Sequence, residues 1–274
     1  MSRFPEGFNL LEAHYKRAES YLNLRRYEEA LNDYEFVLSR GVSDYYLSSL
    51  HKSAVITFYQ VKDYKKSFDY YSLLEEIEKD EQLRYEAQIG AMRSAMNIED
   101  TEALQYMSEK VLENPLKKEE DVLIAQYNLS KIFYQNKSFD QAMPLLESVI
   151  SKGISEQSAE AQYMLANISY EKNQLDEADN RIRKFIIDYK SYPVWIARNL
   201  ILLSDVLVKK EDLLQAKAAL EAVIENYSGD EEISKTANDR LAIIVKMEEE
   251  RNRIEEQTNT NELILEKENG DQNE

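Results

Sequence analysis

From Leu11 to Leu38 the chain reads LEAHYKRAESYLNLRRYEEALNDYEFVL, and this spacing of small and large residues recurs five more times. Ala18 and Tyr21 fall on one face of a first helix, and Tyr27, Ala30, Tyr34 and Val37 on one face of a second, at the separations of three and four that an α-helix brings together. Residues 23–26 turn the first helix back onto the second. A small side chain where two helices cross lets their backbones approach, and the tyrosines beside it fill the groove. With Ala30 as anchor, the equivalents are Ser67, Ala103, Ala142, Ala178 and Ala216, at intervals of 37, 36, 39, 36 and 38 residues. Twelve residues before the anchors stand Ala18, Val55, Ala91, Ser130, Ala166 and Ser204, small in five cases of six. One such hairpin cannot bury both its faces, so a chain written this way must stack its hairpins into a continuous array.

This alternation of small and aromatic residues over two helices resembles the tetratricopeptide repeat (TPR) family, whose basic period is 34 residues. The resemblance implies an all-α fold, a right-handed superhelical solenoid of about six helix hairpins with a C-terminal capping helix. The expected layout is a lead-in at 1–10, in which Phe4 and Pro5 read as the tail of a preceding repeat, then six repeats at 11–229, a capping helix at 230–256 and a disordered acidic tail at 257–274. Ile233, Leu241, Ile244, Val245 and Met247 would cover the end of the array. The third copy departs most, with Ser94, Asp100 and Lys110 where large apolar residues are expected, and looser packing is expected there. Each copy exceeds the basic period, which lengthens the loops in the manner of bacterial envelope-type TPR proteins.

Composition enters where it excludes alternatives. Six glycines and four prolines leave little material for β-turns. Gly41, Gly153 and Gly229 stand where second helices should end in a left-handed residue, Pro193 is placed to open a first helix, and Pro144 falls inside a second helix. A net charge of −18 argues against nucleic acid and against anionic membranes as partners. No window is long and apolar enough for a membrane-spanning helix, so no direct membrane insertion is expected. Without a leader-like N-terminus the location reads as cytoplasmic if Met1 is the native start, and as periplasmic if the chain is a fragment of a longer exported protein. The absence of cysteine suits either compartment.

Catalytic chemistry has little to work with, and an enzyme is not expected. His14 and His51 hold matched offsets before their anchors and lack metal-ligand spacing, so no metal and no cofactor is expected. The acidic runs Glu75, Glu76, Glu78 and 248–250 read as solvated helix faces rather than acid and base pairs.

Recognition is expected on first-helix positions fifteen, eleven and eight before each anchor, which share a face apart from the packing stripe and, in TPR proteins, line the concave groove. That face reads Tyr15, Glu19, Leu22; Lys52, Ile56, Tyr59; Gln88, Met92, Ala95; Tyr127, Lys131, Tyr134; Tyr163, Asn167, Tyr170; and Ile201, Asp205, Val208. Tyrosine offers large contact area and one hydrogen bond at low entropic cost, which suits a bound peptide segment or protein partner. The competing reading is structural: 19 tyrosines put several on any face, and packing between repeats uses some of them. The lysine, asparagine and arginine clamp of chaperone-binding TPR proteins is missing, since Tyr15, Glu19, Lys52 and Ile56 hold its positions. The expected function is therefore a non-catalytic scaffold; the alternative is the C-terminal piece of a longer array with an architectural role in a bacterial envelope complex, stacking on further repeats or self-associating.

Overall fold

The computed structural model describes residues 8–270, which form thirteen α-helices and one π-helical turn and, among the described residues, no strand. Six hairpins follow one another: α1 (Phe8–Asn23) with α2 (Tyr27–Ser39), α3 (Tyr46–Ile56) with α4 (Tyr64–Ile77), α5 (Glu81–Ile98) with α6 (Thr101–Glu113), α7 (Glu119–Gln135) with α8 (Phe139–Ser151), α9 (Glu156–Glu171) with α10 (Leu175–Asp188), and α11 (Pro193–Lys209) with α12 (Leu213–Asn226). The last helix, α13, spans Glu231–Gly270. The chain divides within α8 into two compact units, Met1–Leu145 and Leu146–Glu274.

Within each hairpin the turn has one backbone solution. Arg25, Lys62, Glu99, Lys137, Asn173 and Glu211 all adopt positive φ, between 55° and 62°. In the first hairpin the Arg25 N–H donates to the Leu22 carbonyl and the Arg26 N–H to the Tyr21 carbonyl, both at 2.9 Å. This is the Schellman closure that satisfies the last carbonyls of a helix. The same outer bond recurs from Asp100 to Ala95, Ser138 to Phe133, Gln174 to Ser169 and Asp212 to Leu207. Asp63, Asp100 and Asp212 then cap the second helix through their side chains.

These turns give a repeat of 37, 37, 38, 36 and 38 residues, and they correct the third copy. The left-handed residue stands five before Ala30, Ser67, Ala142, Ala178 and Ala216 but only four before Ala103, so Leu104 is the structural equivalent. Ala30, Ser67, Ala142, Ala178 and Ala216 are wholly buried, whereas Ala103 is only partly so. Asp100 and Lys110 thereby cease to be misplaced apolar positions. A second correction concerns Val55. The π-helical turn Thr57–Val61 inserts one residue into the first helix of the second hairpin, and the Asp63 N–H reaches back to the Thr57 carbonyl. Ahead of it the helix is displaced by one position, so that the buried Ala54 meets Ser67, whose Oγ lies 3.3 Å from the Ala54 carbonyl.

In the first unit, Ala18, Ala30, Leu31, Tyr34 and Ile56 form the core of the first hairpin and its joint with the second. Leu50, Ala54, Tyr71, Leu74, Tyr85, Ala91 and Met92 continue it through the second and third. In the second unit, Ile182, Leu203, Val206, Leu220 and Val223 are buried together with Ile233, Ala237 and Ile244 of α13. Each such aliphatic side chain contributes about 1.5–3 kcal/mol by leaving water. Of the other residues expected to cap this end, Leu241 packs against the same cluster and Met247 is exposed. Pro193 opens α11, and α8 runs through Pro144. Gly41 and Gly153 have positive φ; Gly229 does not, and is instead pressed against Tyr227, where a Cβ would lie 2.6 Å from Oη. Phe4 and Pro5 lie outside the described residues. At the other end the helix continues past about residue 256, where the polarity of the sequence predicts disorder, to Gly270; the run ELILEKE is made of residues with ample helix propensity. Residues 271–274 lie outside the described residues.

A buried carboxylate fastens the first hairpin. Asp33 accepts from Arg17 Nε and Nη2, each at 2.6 Å, and lies 2.7 Å from His14 Nδ1, whose ring stacks on Phe36. The Arg17 hydrogen bonds hold the Asp33 carboxyl below the usual carboxylate range, burial opposes them, and His14 adds to the lowering. Because the folded value is depressed, the stability that Asp33 confers is present above its ordinary value of about 4 and is lost as pH falls through the folded value. Asp33→Asn should therefore cost about 1–3 kcal/mol at pH 7, and the gap to wild type should close below about pH 4 in denaturant titrations.

Candidate functional site

The candidate surface is the face of the first helices turned away from the crossings. In the first unit Tyr15 is held by its own neighbours: Oη lies 2.7 Å from Ser48 Oγ, the ring stacks on Tyr45 and it meets Tyr34 edge-on. Glu19 accepts the Tyr34 hydroxyl proton and faces Lys52 Nζ at 3.4 Å. Burial and this carboxylate push the Tyr34 hydroxyl pKa well up. Tyr15, Glu19 and Lys52 thus join the first hairpin to the second. His51 is half-buried nearby, and burial pushes its pKa down.

Tyr59 differs from these. It sits on the π-helical turn, is 53% exposed and touches Phe58 edge-on. On α7, Lys131 Nζ lies 5.2 Å from the Tyr127 ring centroid and 3.5 Å from its hydroxyl, a cation–π pair one helical turn long. One turn further on, Tyr134 is partly exposed, with its ring 6.3 Å from Phe139.

Two first helices do not present the residues that simple counting assigns to this face. Gln88, Met92 and Ala95 are buried, because the register of the third hairpin is shifted by one; Ile89, Arg93 and Met96 are the more exposed set there. Ile56 is buried in the core of the first hairpin because of the π insertion.

In the second unit Tyr163 packs against Trp195, with ring centroids 5.7 Å apart, and belongs to the rim of the core. Burial pushes its hydroxyl pKa up, against the pull of Arg198 and Arg240. Asn167 is partly exposed one turn later. Tyr170 carries Lys209 Nζ 3.8 Å from its ring centroid. Tyr170, Asp205 and Val208 line a cavity of about 150 Å³ whose far wall is Arg240, Ile243 and Met247 of α13. Asp205 pairs with Arg240. Arg240 and Ile243 were missed in the sequence, and Met247 was read only as part of the cap, because a terminal helix reads as a cap; the adjacent apolar pair Ile243 and Ile244, which point in different directions on a helix, was the available signal.

Among the described residues no group of three or more His, Asp or Glu side chains stands where it could hold a metal ion, and no helix is long and apolar enough to cross a membrane. The arrangement offers aromatic faces, amides and paired charges for contact.

Comparison with known proteins follows the same outline. Residues 11–40 match the tetratricopeptide repeat family. No curated protein sequence matches the chain. Among solved structures it is similar to PilW, a widely conserved type IV pilus biogenesis factor, with 17% identity and a TM-score of 0.47 over 84% of this chain and 99% of that one. It is also similar to BtubC from P. vanneervenii, at 14% identity and a TM-score of 0.49 over 81% and 93% of the two chains. A TPR protein from Bacteroides fragilis shows 12% identity and a TM-score of 0.42 over 85% and 98%. Proteins of this fold generally mediate protein–protein interaction, and typically as non-catalytic scaffolds. The tetratricopeptide repeat match falls on the first hairpin, and the five hairpins that follow repeat that hairpin's order of helix, left-handed turn and helix.

Proposed function

We propose that the protein is a non-catalytic scaffold that binds a peptide segment or a protein partner along the open faces of its first helices. The observation that carries this reading is Tyr59, 53% exposed on its π-helical turn, with Tyr127, Tyr134 and Tyr170 partly exposed on the same predicted face of other first helices. Tyr15 and Tyr163, partly exposed as well, are held by contacts to neighbouring helices. Lys131, Asn167 and the Asp205–Arg240 pair supply polar contacts beside them. Aromatic side chains of this kind dominate binding energy where they are part-buried and become fully desolvated on contact.

The test uses affinity capture from the native organism with mass spectrometry, then repeats it with the variant Tyr59→Ala, Tyr127→Ala, Tyr134→Ala and Tyr170→Ala. Binding of the recovered partner should weaken on the order of 100-fold or more, with the helical circular dichroism unchanged. Equal capture by the variant would sink the assignment of the surface.

A further inference from the structure

Eight residues after the anchor of each second helix stand Leu38, Glu75, Leu112, Ile150, Ile186 and Ile224. Leu38, Leu112, Ile186 and Ile224 pack against the hydrophobic clusters. Glu75 occupies the corresponding place in α4 as a carboxylate whose side chain is only 11% exposed, contrary to its reading as part of a solvated acidic run. Lys110 Nζ from α6 binds both its oxygens, at 2.7 and 2.8 Å, and Gln88 Nε2 from α5 donates to it at 3.1 Å. The buried Asn114 in turn donates to Gln88 Oε1 at 2.8 Å. A polar network therefore stands where the other hairpins place an aliphatic contact.

Replacing a buried ion pair by well-packed apolar groups is often neutral or stabilising, so fold stability alone does not account for this network. Departures of this kind cluster at functional sites. Here the departure coincides with a trough of about 790 Å³ between α4 and α6, floored by α5 and contained within the first unit. The size lies within the range of ligand sites. Its wall includes the buried Ser72 hydroxyl, which has no hydrogen-bond partner.

We infer that this trough receives an arginine side chain of a basic partner segment, at a site separate from the first-helix surface. The charge on its walls favours a cation. Glu75 is neutralised by Lys110, while Glu76 and Glu113 are exposed carboxylates at the rim, opposed there by Arg84 alone. Tyr106 holds Lys110 Nζ 4.8 Å from its ring centroid and is still 53% exposed, so ring area beyond that contact is left for a planar guanidinium. The net charge of −18 draws cationic segments toward the surface from a distance. Gln88 and Asn114 each keep an amide N–H beyond those used in the network, suited to the backbone carbonyls that flank the arginine.

The probe is the peptide acetyl-Gly-Ser-Arg-Ser-Gly-amide, titrated at physiological salt and followed by backbone amide NMR, against the same peptide with uncharged citrulline. Saturable shifts confined to α4–α6, at least tenfold weaker with citrulline, are expected. Glu75→Leu, which restores the residue type of the other hairpins, should abolish them; because it strands Lys110 and Gln88, thermal denaturation should show lower stability, with the helical circular dichroism retained at the temperature of the titration. The surface variant Glu76→Gln with Glu113→Gln should weaken binding severalfold without touching the core. Absence of saturable shifts, shifts scattered over the acidic surface that salt removes, or undiminished binding by these variants would overturn the inference.

Discussion

Gly90→Ala is expected to destabilise the first unit by about 1–3 kcal/mol, although in an open helix interior the same change gains about 1 kcal/mol. Gly90 lies within α5, and a Cβ there would stand 2.5 Å from Cε1 and Cζ of the Tyr71 ring. That ring is 5% exposed and belongs to the cluster shared by the second and third hairpins, so it cannot swing aside without opening a void. The lost space outweighs the gain in helix propensity, and the sign reverses. Amide hydrogen exchange over α4–α6 should accelerate in the variant. Unchanged or slower exchange would mean that the close approach of α5 to Tyr71 is not as tight as described.

The second large effect concerns the joint between the third and fourth hairpins. Tyr85 of α5 is wholly buried, donates its hydroxyl proton to Asp121 Oδ2 at 2.8 Å and accepts the Lys118 N–H at 2.9 Å. Arg93 approaches the other oxygen of Asp121 at 3.2 Å. Tyr85→Ala removes both the ring and the bridge and should cost about 3–5 kcal/mol. Tyr85→Phe keeps the ring but strips a partner from a carboxylate that is 5% exposed, and should cost about 1–3 kcal/mol. Combining Tyr85→Phe with Asp121→Asn should cost less than the two single changes together, since they break the same bond. The sole tryptophan, Trp195, lies in the second unit, so urea denaturation is better followed by circular dichroism than by fluorescence.

How far the fold could be read from the residues depends on what enforces each feature. Ala30, Ala142, Ala178 and Ala216 were legible because a helix crossing tolerates little beyond a methyl group, so side-chain size reports position directly. The third hairpin was misread by one residue because its left-handed turn residue is Glu99, as it is Arg25, Lys62, Lys137, Asn173 and Glu211 elsewhere, and none is the glycine that usually marks such a turn. The π-helical turn left no compositional mark, since it is a backbone event, and its one-residue slip moved Val55 and Ile56 off their expected places.

On the candidate surface the limit is of another kind. Tyr15 and Tyr59 are the same residue type on the same predicted face, yet one is consumed by Ser48, Tyr34 and Tyr45 while the other is open. What a tyrosine does there is decided by the neighbouring hairpin, which periodicity within one hairpin does not encode. Glu75 shows the converse: a charged residue in an acidic run reads as surface, and only the Lys110 and Gln88 that reach it from other helices make it interior.

The most direct test of a first-helix recognition surface is site-specific photo-crosslinking in the native organism. A photoreactive phenylalanine analogue replaces Tyr59, Tyr134 or Tyr170 on the first helices, and Ile187 or Leu214, which are 65% and 77% exposed on second helices, in parallel. One common partner is predicted to be captured from the three tyrosine positions and not from Ile187 or Leu214. Capture from the second-helix positions alone would contradict the account.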